Sequence, residues 1–280
     1  MGSTIEYWKI SSILEERPIG KEVALRGWVY RRRKQKTRIF LLLRDSTGII
    51  QLIVEENSEI FKTALKIGIE SSLIAKGIVK EDPRAPGGIE IHLTSLKPIS
   101  ITETFPITKD ASREFLLDVR HLWIRSRKMN AILKVRDEVF KRIHEYFRSK
   151  GYFEVQAPMF ITAAVEGGAT LFTVDYFGKK NVYLTQSSQF YLEALIFSLE
   201  KVYTIAPSFR AEKSRTRRHL TEFWHAEAEE AWKNLTDIMK VEEELITYVV
   251  EKVLEEKMKE LELLKRDTKI LENTKPPFYR

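Results

Sequence analysis

Phe209 to Trp232, FRAEKSRTRRHLTEFWHAEAEEAW, reads as two strand-forming arms around a run of cations. The first arm, from Tyr203 to Ala211, is rich in β-favouring residues, and Pro207 within it fits an edge or a bulge. The second, Phe223 to Trp232, alternates aromatic and acidic side chains. A period of two places Arg210 and Glu212 on one face of the first arm, and Phe223, His225 and Glu227 on one face of the second. Between them Lys213, Arg215, Arg217, Arg218 and His219 load the turn with donors. Cations, an aromatic ring and carboxylates on one hairpin suit a nucleotide that is held and reacted. The same residues also suit a solvated basic loop on an edge hairpin, and only their surroundings separate the two.

On either side of the hairpin lie helices and short strands. Met129 to Lys150 carries Ile132, Val135, Val139, Ile143 and Phe147 at helical spacing, with Gly151 placed to end the helix. Tyr152 to Gln156 is a short strand running into Pro158. Glu166 sits beside Gly167-Gly168, where a tight backbone can bring one carboxylate to an ammonium group; an exposed acid in a turn is the plainer alternative. Asn181 to Thr185 reads as a strand, with helix from about Ser187, so Gln186 falls at the junction and can point into a cleft. After Trp232, Ile238, Val241, Leu245, Val249 and Val253 form one stripe of a long helix spanning Thr236 to Lys265.

Upstream, short strands are dense. Lys21–Tyr30, Arg38–Arg44, Ile49–Glu55, Ser72–Val79 and Ile89–Leu93 are strands, with a helical piece at Ile60–Ile69 and a basic loop at Arg31–Thr37. Five strands with a helix after the third is the layout of an OB-type barrel. With Asp45-Ser46-Thr47-Gly48 as the turn, Arg44 faces Ile49, Leu42 faces Gln51 and Phe40 faces Ile53. Phe40 and Gln51 then lie diagonally on one face. A ring to stack a base and an amide to read its edge make a single-strand RNA platform, and the basic run Arg31, Arg32, Arg33, Lys34, Lys36 and Arg38 favours that over a simple core ring. Thr94–Ser112 reads as linker and Phe115–Arg127 as hinge. The expected division is 1–98 for the barrel, 99–127 for linker and hinge, and 128–280 for the second domain.

Composition agrees with a polyanionic partner. The 280 residues carry a net charge of +7 with 31% charged residues. With no cysteine, disulfides and thiolate zinc sites are excluded. No apolar run is long enough to span a membrane, and MGSTIEYWKI lacks a signal-peptide core, so the expected location is the cytoplasm.

Taken together, the chain resembles a class II aminoacyl-tRNA synthetase of the aspartate/asparagine/lysine subgroup, most like its archaeal asparagine-specific branch. Lys134–Pro158 is similar to the family's motif 1, and FRAE through the basic loop to Glu222-Phe223-Trp224 is similar to its motif 2. The resemblance implies an α+β fold: an N-terminal OB-type anticodon-binding barrel and part of an antiparallel-sheet catalytic domain. It implies that Arg210 holds the ATP α-phosphate and the amino-acid carboxylate, and that Glu212 contacts the adenine side or the tRNA acceptor end. Arg218 and His219 would meet the ATP phosphates, and Phe223 would stack on adenine. Lys213, Arg215 and Arg217 would contact the tRNA acceptor, and Glu166 with Gln186 the substrate ammonium group. Phe40 and Gln51 would stack on and read the middle anticodon uridine, with Arg31 and Arg33 beside them. A homodimer through the motif 1 helix is implied too.

Within the subgroup, aspartyl enzymes place a lysine after the QS-x-Q segment, where this chain has Leu192, and an aspartate near the end of motif 2, where it has Glu227. A carboxylate with no lysine to neutralise it suits an amide NH2 and repels a substrate carboxylate, which favours asparagine over aspartate. The glycine-rich motif 3 and the acidic Mg2+ ligands have no counterpart in these residues, and no G-x-G-x-x-R occurs. The expectation is therefore a fragment of an ATP-dependent asparagine–tRNA ligase, inactive alone. The alternatives are an aspartate-specific enzyme or a shortened, non-catalytic tRNA-binding relative.

Overall fold

Alternation of apolar and polar residues closes the first part of the chain into a barrel. The computed structural model describes residues 6–163, 171–179, 181–213, 216 and 218–279. They form two compact units, Met1–Leu116 and Leu117–Arg280. In the first unit, α1 (Ile10–Glu16) precedes β1 (Glu22–Lys34), β2 (Arg38–Arg44) and β3 (Ile49–Glu55), followed by α2 (Phe61–Ala64), β4 (Ser72–Glu81) and β5 (Ile89–Ser100). The strands close in the order β1-β2-β3-β5-β4, antiparallel except for β3 against β5. In β2, Ile39, Leu41 and Leu43 are fully buried, while Arg38, Phe40, Leu42 and Arg44 turn outward. Leu25 and Val29 of β1, Ile50 and Leu52 of β3, and Ile91 of β5 complete the same core. Gly77 lets β4 close on β5, since a Cβ there would lie 2.3 Å from the His92 carbonyl oxygen.

Several expectations change. Arg31–Lys34 is strand, paired with Leu42 through Ile39 across a bulge after Val29, and the turn shrinks to Gln35–Thr37. Period two lets this run keep Arg31 and Arg33 on the solvent side, so its charge does not exclude pairing. Thr94–Ser100 is the second half of β5, with Ser95 opposite Lys76 and Pro98 opposite Leu73, rather than linker. The helical piece at Ile60–Ile69 is a single turn, α2. Beyond it the bonds tighten to three-residue spacing, from Lys66 to Thr63 (3.0 Å) and Ile67 to Ala64 (3.3 Å), which carries Ile67 into the core. The N-terminal helix α1 is an addition. Its first amides are capped from the β2–β3 turn, Ile10 by Asp45 Oδ2 (2.9 Å) and Ser11 by Thr47 Oγ1 (3.0 Å).

The boundary between the units falls within α3 (Arg113–Asp118), and the second unit continues with α4 (Arg120–Trp123) and the long α5 (Arg127–Ser149). Next come the short strands β6 (Phe153–Glu154), β7 (Phe160–Ile161) and β8 (Tyr183–Leu184), then α6 (Gln189–Leu199). The hairpin β9 (Lys201–Phe209) and β10 (Glu222–Glu230), with α7 (Leu235–Leu263) and α8 (Lys269–Glu272), completes it. Ser126 Oγ caps α5 at Met129 N–H (3.2 Å), and Gly151, at φ 80°, ends it while Tyr152 N–H reaches back to Phe147 (3.0 Å). Asn234 and Asp237 form a reciprocal capping box that starts α7. β9 lies between β10 and β6. Pro207 pairs with Trp224 well within β9, but β6 covers β9 only at Val202 and Tyr203, so the missing N–H faces no strand.

The stripe predicted for α5 is only partly its buried side: Phe147 lies in the core with Ile143 packed against it, while Val135 and Val139 are half-buried. Ala131, Glu138, Arg142, Tyr146 and Phe147 are buried, and Ile132 is exposed. α7 packs Val241, Leu245 and Tyr248 against Tyr146 and Phe147 of α5 and adds charge: Lys257 Nζ meets Glu138 Oε2 (2.8 Å), while within α5 Arg142 Nε donates to Glu138 Oε1 (2.7 Å) and Arg142 Nη1 to Glu145 (2.6 Å). Burial alone pushes the Glu138 carboxyl up, but hydrogen bonds and charge from Lys257 and Arg142 together hold it below its usual value. A carboxyl lowered in the folded state gives stability above its unfolded pKa of about 4.3 and loses it as pH falls through the folded value. Glu138→Gln is therefore expected to cost about 3 kcal/mol in urea unfolding at pH 7, by leaving two cations under-paired. The difference from the unaltered protein should shrink below about pH 4. A pH-independent difference would mean that packing, not charge, carries the effect.

Candidate nucleotide and RNA sites

The register of β9 and β10 divides the hairpin into two faces. Ser208 lies opposite Phe223, Ala206 opposite His225, Thr204 opposite Glu227 and Val202 opposite Glu229. Arg210 extends this row just past the strand end, its N–H bonded to Thr221 O at 2.9 Å. Arg210, Phe223, His225, Glu227 and Glu229 therefore share one face. The opposite face packs on α5, with Tyr203 stacked on Phe147 at 4.8 Å and Trp224 edge-on to Phe140 at 5.5 Å. Two alternating patterns thus give one structural face and one chemical face.

On the chemical face the Arg210 guanidinium lies over the Phe223 ring, 5.3 Å from its centre. Glu227 is held where α6 begins. Its Oε2 accepts from Ser188 N–H at 2.9 Å and its Oε1 from Ser187 Oγ. His225 Nδ1 lies 3.5 Å from Oε2. Leu192 is fully buried one turn into α6, so an uncharged side chain stands at that position. Gln186 is buried at the β8–α6 junction. Glu212, Lys213, Arg218 and His219 are exposed beyond the strand ends, and His219 Nδ1 bonds Thr216 Oγ1. Because β9 stops at Phe209, Glu212 is not on a strand as the alternation suggested. Glu166, Arg215 and Arg217 lie outside the described residues.

Glu229 was not singled out from the sequence, although the same alternation reaches it. Burial, with the neighbouring Glu193 and Glu227 carboxylates, pushes its carboxyl up. Among the described residues no group of three His, Asp or Glu is placed to hold a metal ion.

A second candidate site lies on the outer face of β1, β2, β3 and β5 of the barrel. One row runs Arg31, Leu42, Gln51, Glu90, and the next Arg33, Phe40, Ile53, His92. Phe40 and Gln51 are therefore diagonal neighbours, with Arg31 and Arg33 exposed beside them. Gln51 Nε2 donates to Glu90 Oε2 at 2.8 Å. A half-buried ring, a fixed amide and two cations on a rigid sheet can stack, read and neutralise one segment of single-stranded RNA.

Both parts of the chain resemble known families. The family described as tRNA synthetases class II (D, K and N) matches residues 112–280, and the OB-fold nucleic acid binding domain matches residues 23–99. The asparagine–tRNA ligase of Thermococcus kodakarensis is 55% identical over 264 residues, covering 93% of this chain and 61% of the relative. That of Thermoplasma acidophilum is 50% identical, covering 97% and 64%. The asparaginyl-tRNA synthetase of Pyrococcus horikoshii, solved with asparaginyl-adenylate, superposes with a TM-score of 0.92 at 52% identity, covering 98% of this chain and 64% of that one. The chain thus spans somewhat over three-fifths of the length of these relatives. By the family match across its second unit, the chain belongs to the class II tRNA synthetases of the D, K and N group.

Proposed function

We propose that this chain is the anticodon-binding barrel and the motif 1–motif 2 part of an asparaginyl-tRNA synthetase of the cytoplasm. The supporting observation is the chemical face of β9–β10, where Arg210, Phe223 and the anchored Glu227 lie in one row. In the proposed reaction the asparagine carboxylate attacks the ATP α-phosphorus in line and pyrophosphate leaves, and a hydroxyl of the tRNA terminal ribose then attacks the acyl carbonyl of the adenylate, releasing AMP. No protein nucleophile is needed, so the side chains orient the reactants and stabilise charge. Arg210 would bridge the α-phosphate and the asparagine carboxylate, and adenine would stack on Phe223. Glu227 would accept from the asparagine amide, with Glu166 and Gln186 holding the ammonium group. Arg218 and His219 would serve the distal phosphates, Glu212 the adenine side or the acceptor end, and Lys213, Arg215 and Arg217 the acceptor end. Mg2+ would accompany ATP. Two copies would pair through α5.

ATP–pyrophosphate exchange on these 280 residues, with asparagine and aspartate in parallel, separates the readings. Asparagine-dependent exchange would support the assignment and show that the segment suffices; aspartate-dependent exchange would reverse the amino-acid assignment. No exchange, with tRNA binding that falls steeply with salt, would support a binding module, the second reading that the barrel face favours. For that face, Phe40→Ala should weaken binding of an anticodon stem-loop RNA by about 1–3 kcal/mol, measured by fluorescence anisotropy. Unchanged affinity would remove Phe40 from the RNA site.

A further inference from the structure

On the barrel face, Gln51 is not free to turn. Its Nε2 donates to Glu90 Oε2 at 2.8 Å, and Glu90 Oε1 is bonded at 2.8 Å to His92 Nε2. Glu90 is 6% exposed, on the strand beside Gln51 in the parallel β3–β5 pairing. His92 is its neighbour two residues on, with Nδ1 3.8 Å from Glu55 Oε1. A carboxylate accepts and cannot donate, so it takes the NH2 end of the amide and leaves the Gln51 carbonyl as the acceptor.

We infer that Glu90, braced by His92, is a positioning residue that fixes the Gln51 amide to read uridine rather than cytidine. This rests on the proposed anticodon role of the barrel face. Uridine offers an N3–H donor between two carbonyls, which the Gln51 carbonyl accepts while the second NH2 hydrogen can reach one of those carbonyls. Cytidine reverses the pattern, with an N3 acceptor beside an N4 amino donor, and matches the amide only after a flip. The flip would set the Gln51 carbonyl against the Glu90 carboxylate. Specificity is thus built as a penalty on the wrong base as well as a bond to the right one.

Glu90→Gln tests this with little change of shape. A glutamine at 90 can accept from or donate to Gln51, so either orientation of the Gln51 amide becomes available. The readout is binding of two anticodon stem-loop RNAs differing only by uridine or cytidine at the middle position. The unaltered protein should prefer uridine by about tenfold or more, and E90Q by about threefold or less. The loss should come chiefly from tighter cytidine binding, whereas a merely structural defect would weaken both RNAs together. In a Q51A background, E90Q should change the preference no further, because Glu90 acts through Gln51. Undiminished preference in E90Q, or an equal effect of E90Q with and without Gln51, would overturn the inference. No preference in the unaltered protein would overturn the anticodon reading itself, and the inference with it.

Discussion

Arg210→Ala is expected to lower asparagine-dependent ATP–pyrophosphate exchange by about 10²–10³, the typical cost of losing one preorganised donor aimed at developing charge. The measurement is made in any chain length that carries these residues and supports exchange. Arg210 is exposed, its N–H is tied to Thr221 O, and its guanidinium carbon lies 5.3 Å from the centre of the Phe223 ring. The backbone bond and the ring fix the side chain's direction without consuming the five N–H donors of its fork. The charge it meets is greatest when the α-phosphorus is pentavalent, so the loss should fall mainly on kcat, with a smaller rise in KM for ATP. Arg210→Lys keeps the charge but not the fork, and should recover only part of the rate. An exposed side chain contributes little to folding, so thermal unfolding should move little. Undiminished exchange in R210A would remove the hairpin from the reaction and return its cations to the role of a solvated loop.

Much of this hairpin was legible because the period of two needs no tertiary information. Phe223, His225 and Glu227 are two residues apart, and the pairing of Ser208 with Phe223 puts Arg210 on their side. The same reasoning, anchored at the turn from Asp45 to Gly48, gives the observed β2–β3 register from Arg44 opposite Ile49 to Phe40 opposite Ile53. What escaped depends on partners far away in the chain. Nothing within Ile10–Glu16 marks a helix start, because its caps are Asp45 and Thr47. Glu138 and Arg142 read as a solvent face until α7 brings Lys257 against them. Gln51 looks like a freely rotating amide until β5 sets Glu90 beside it. Local alternation shows which side chains share a face; long-range pairing decides which of them are held.

Glu227→Gln is expected to reduce the preference for asparagine over aspartate by about a thousandfold. A substrate carboxylate 4 Å from Glu227 costs about 4 kcal/mol at an effective dielectric of 20, and that is roughly a factor of 10³ in rate. The substitution removes this repulsion, and the contacts of Glu227 give it a second consequence. Glu227 Oε2 already accepts Ser188 N–H, a backbone donor that cannot be withdrawn. A glutamine at 227 must answer that donor with its single oxygen, so its NH2 turns to where Glu227 Oε1 now accepts from Ser187 Oγ. Serine can adapt by accepting instead of donating, but an asparagine amide in that direction would meet an NH2 with its own NH2, whereas an aspartate carboxylate would find a donor. Asparagine-dependent kcat/KM should therefore fall while aspartate-dependent kcat/KM rises, each followed by pyrophosphate exchange with one amino acid at a time. Leu192, fully buried, adds no charge to offset either change. An unaltered ratio in E227Q would show that selection lies elsewhere, and the anchored carboxylate would then be a device for fixing the start of α6 rather than for choosing the amino acid.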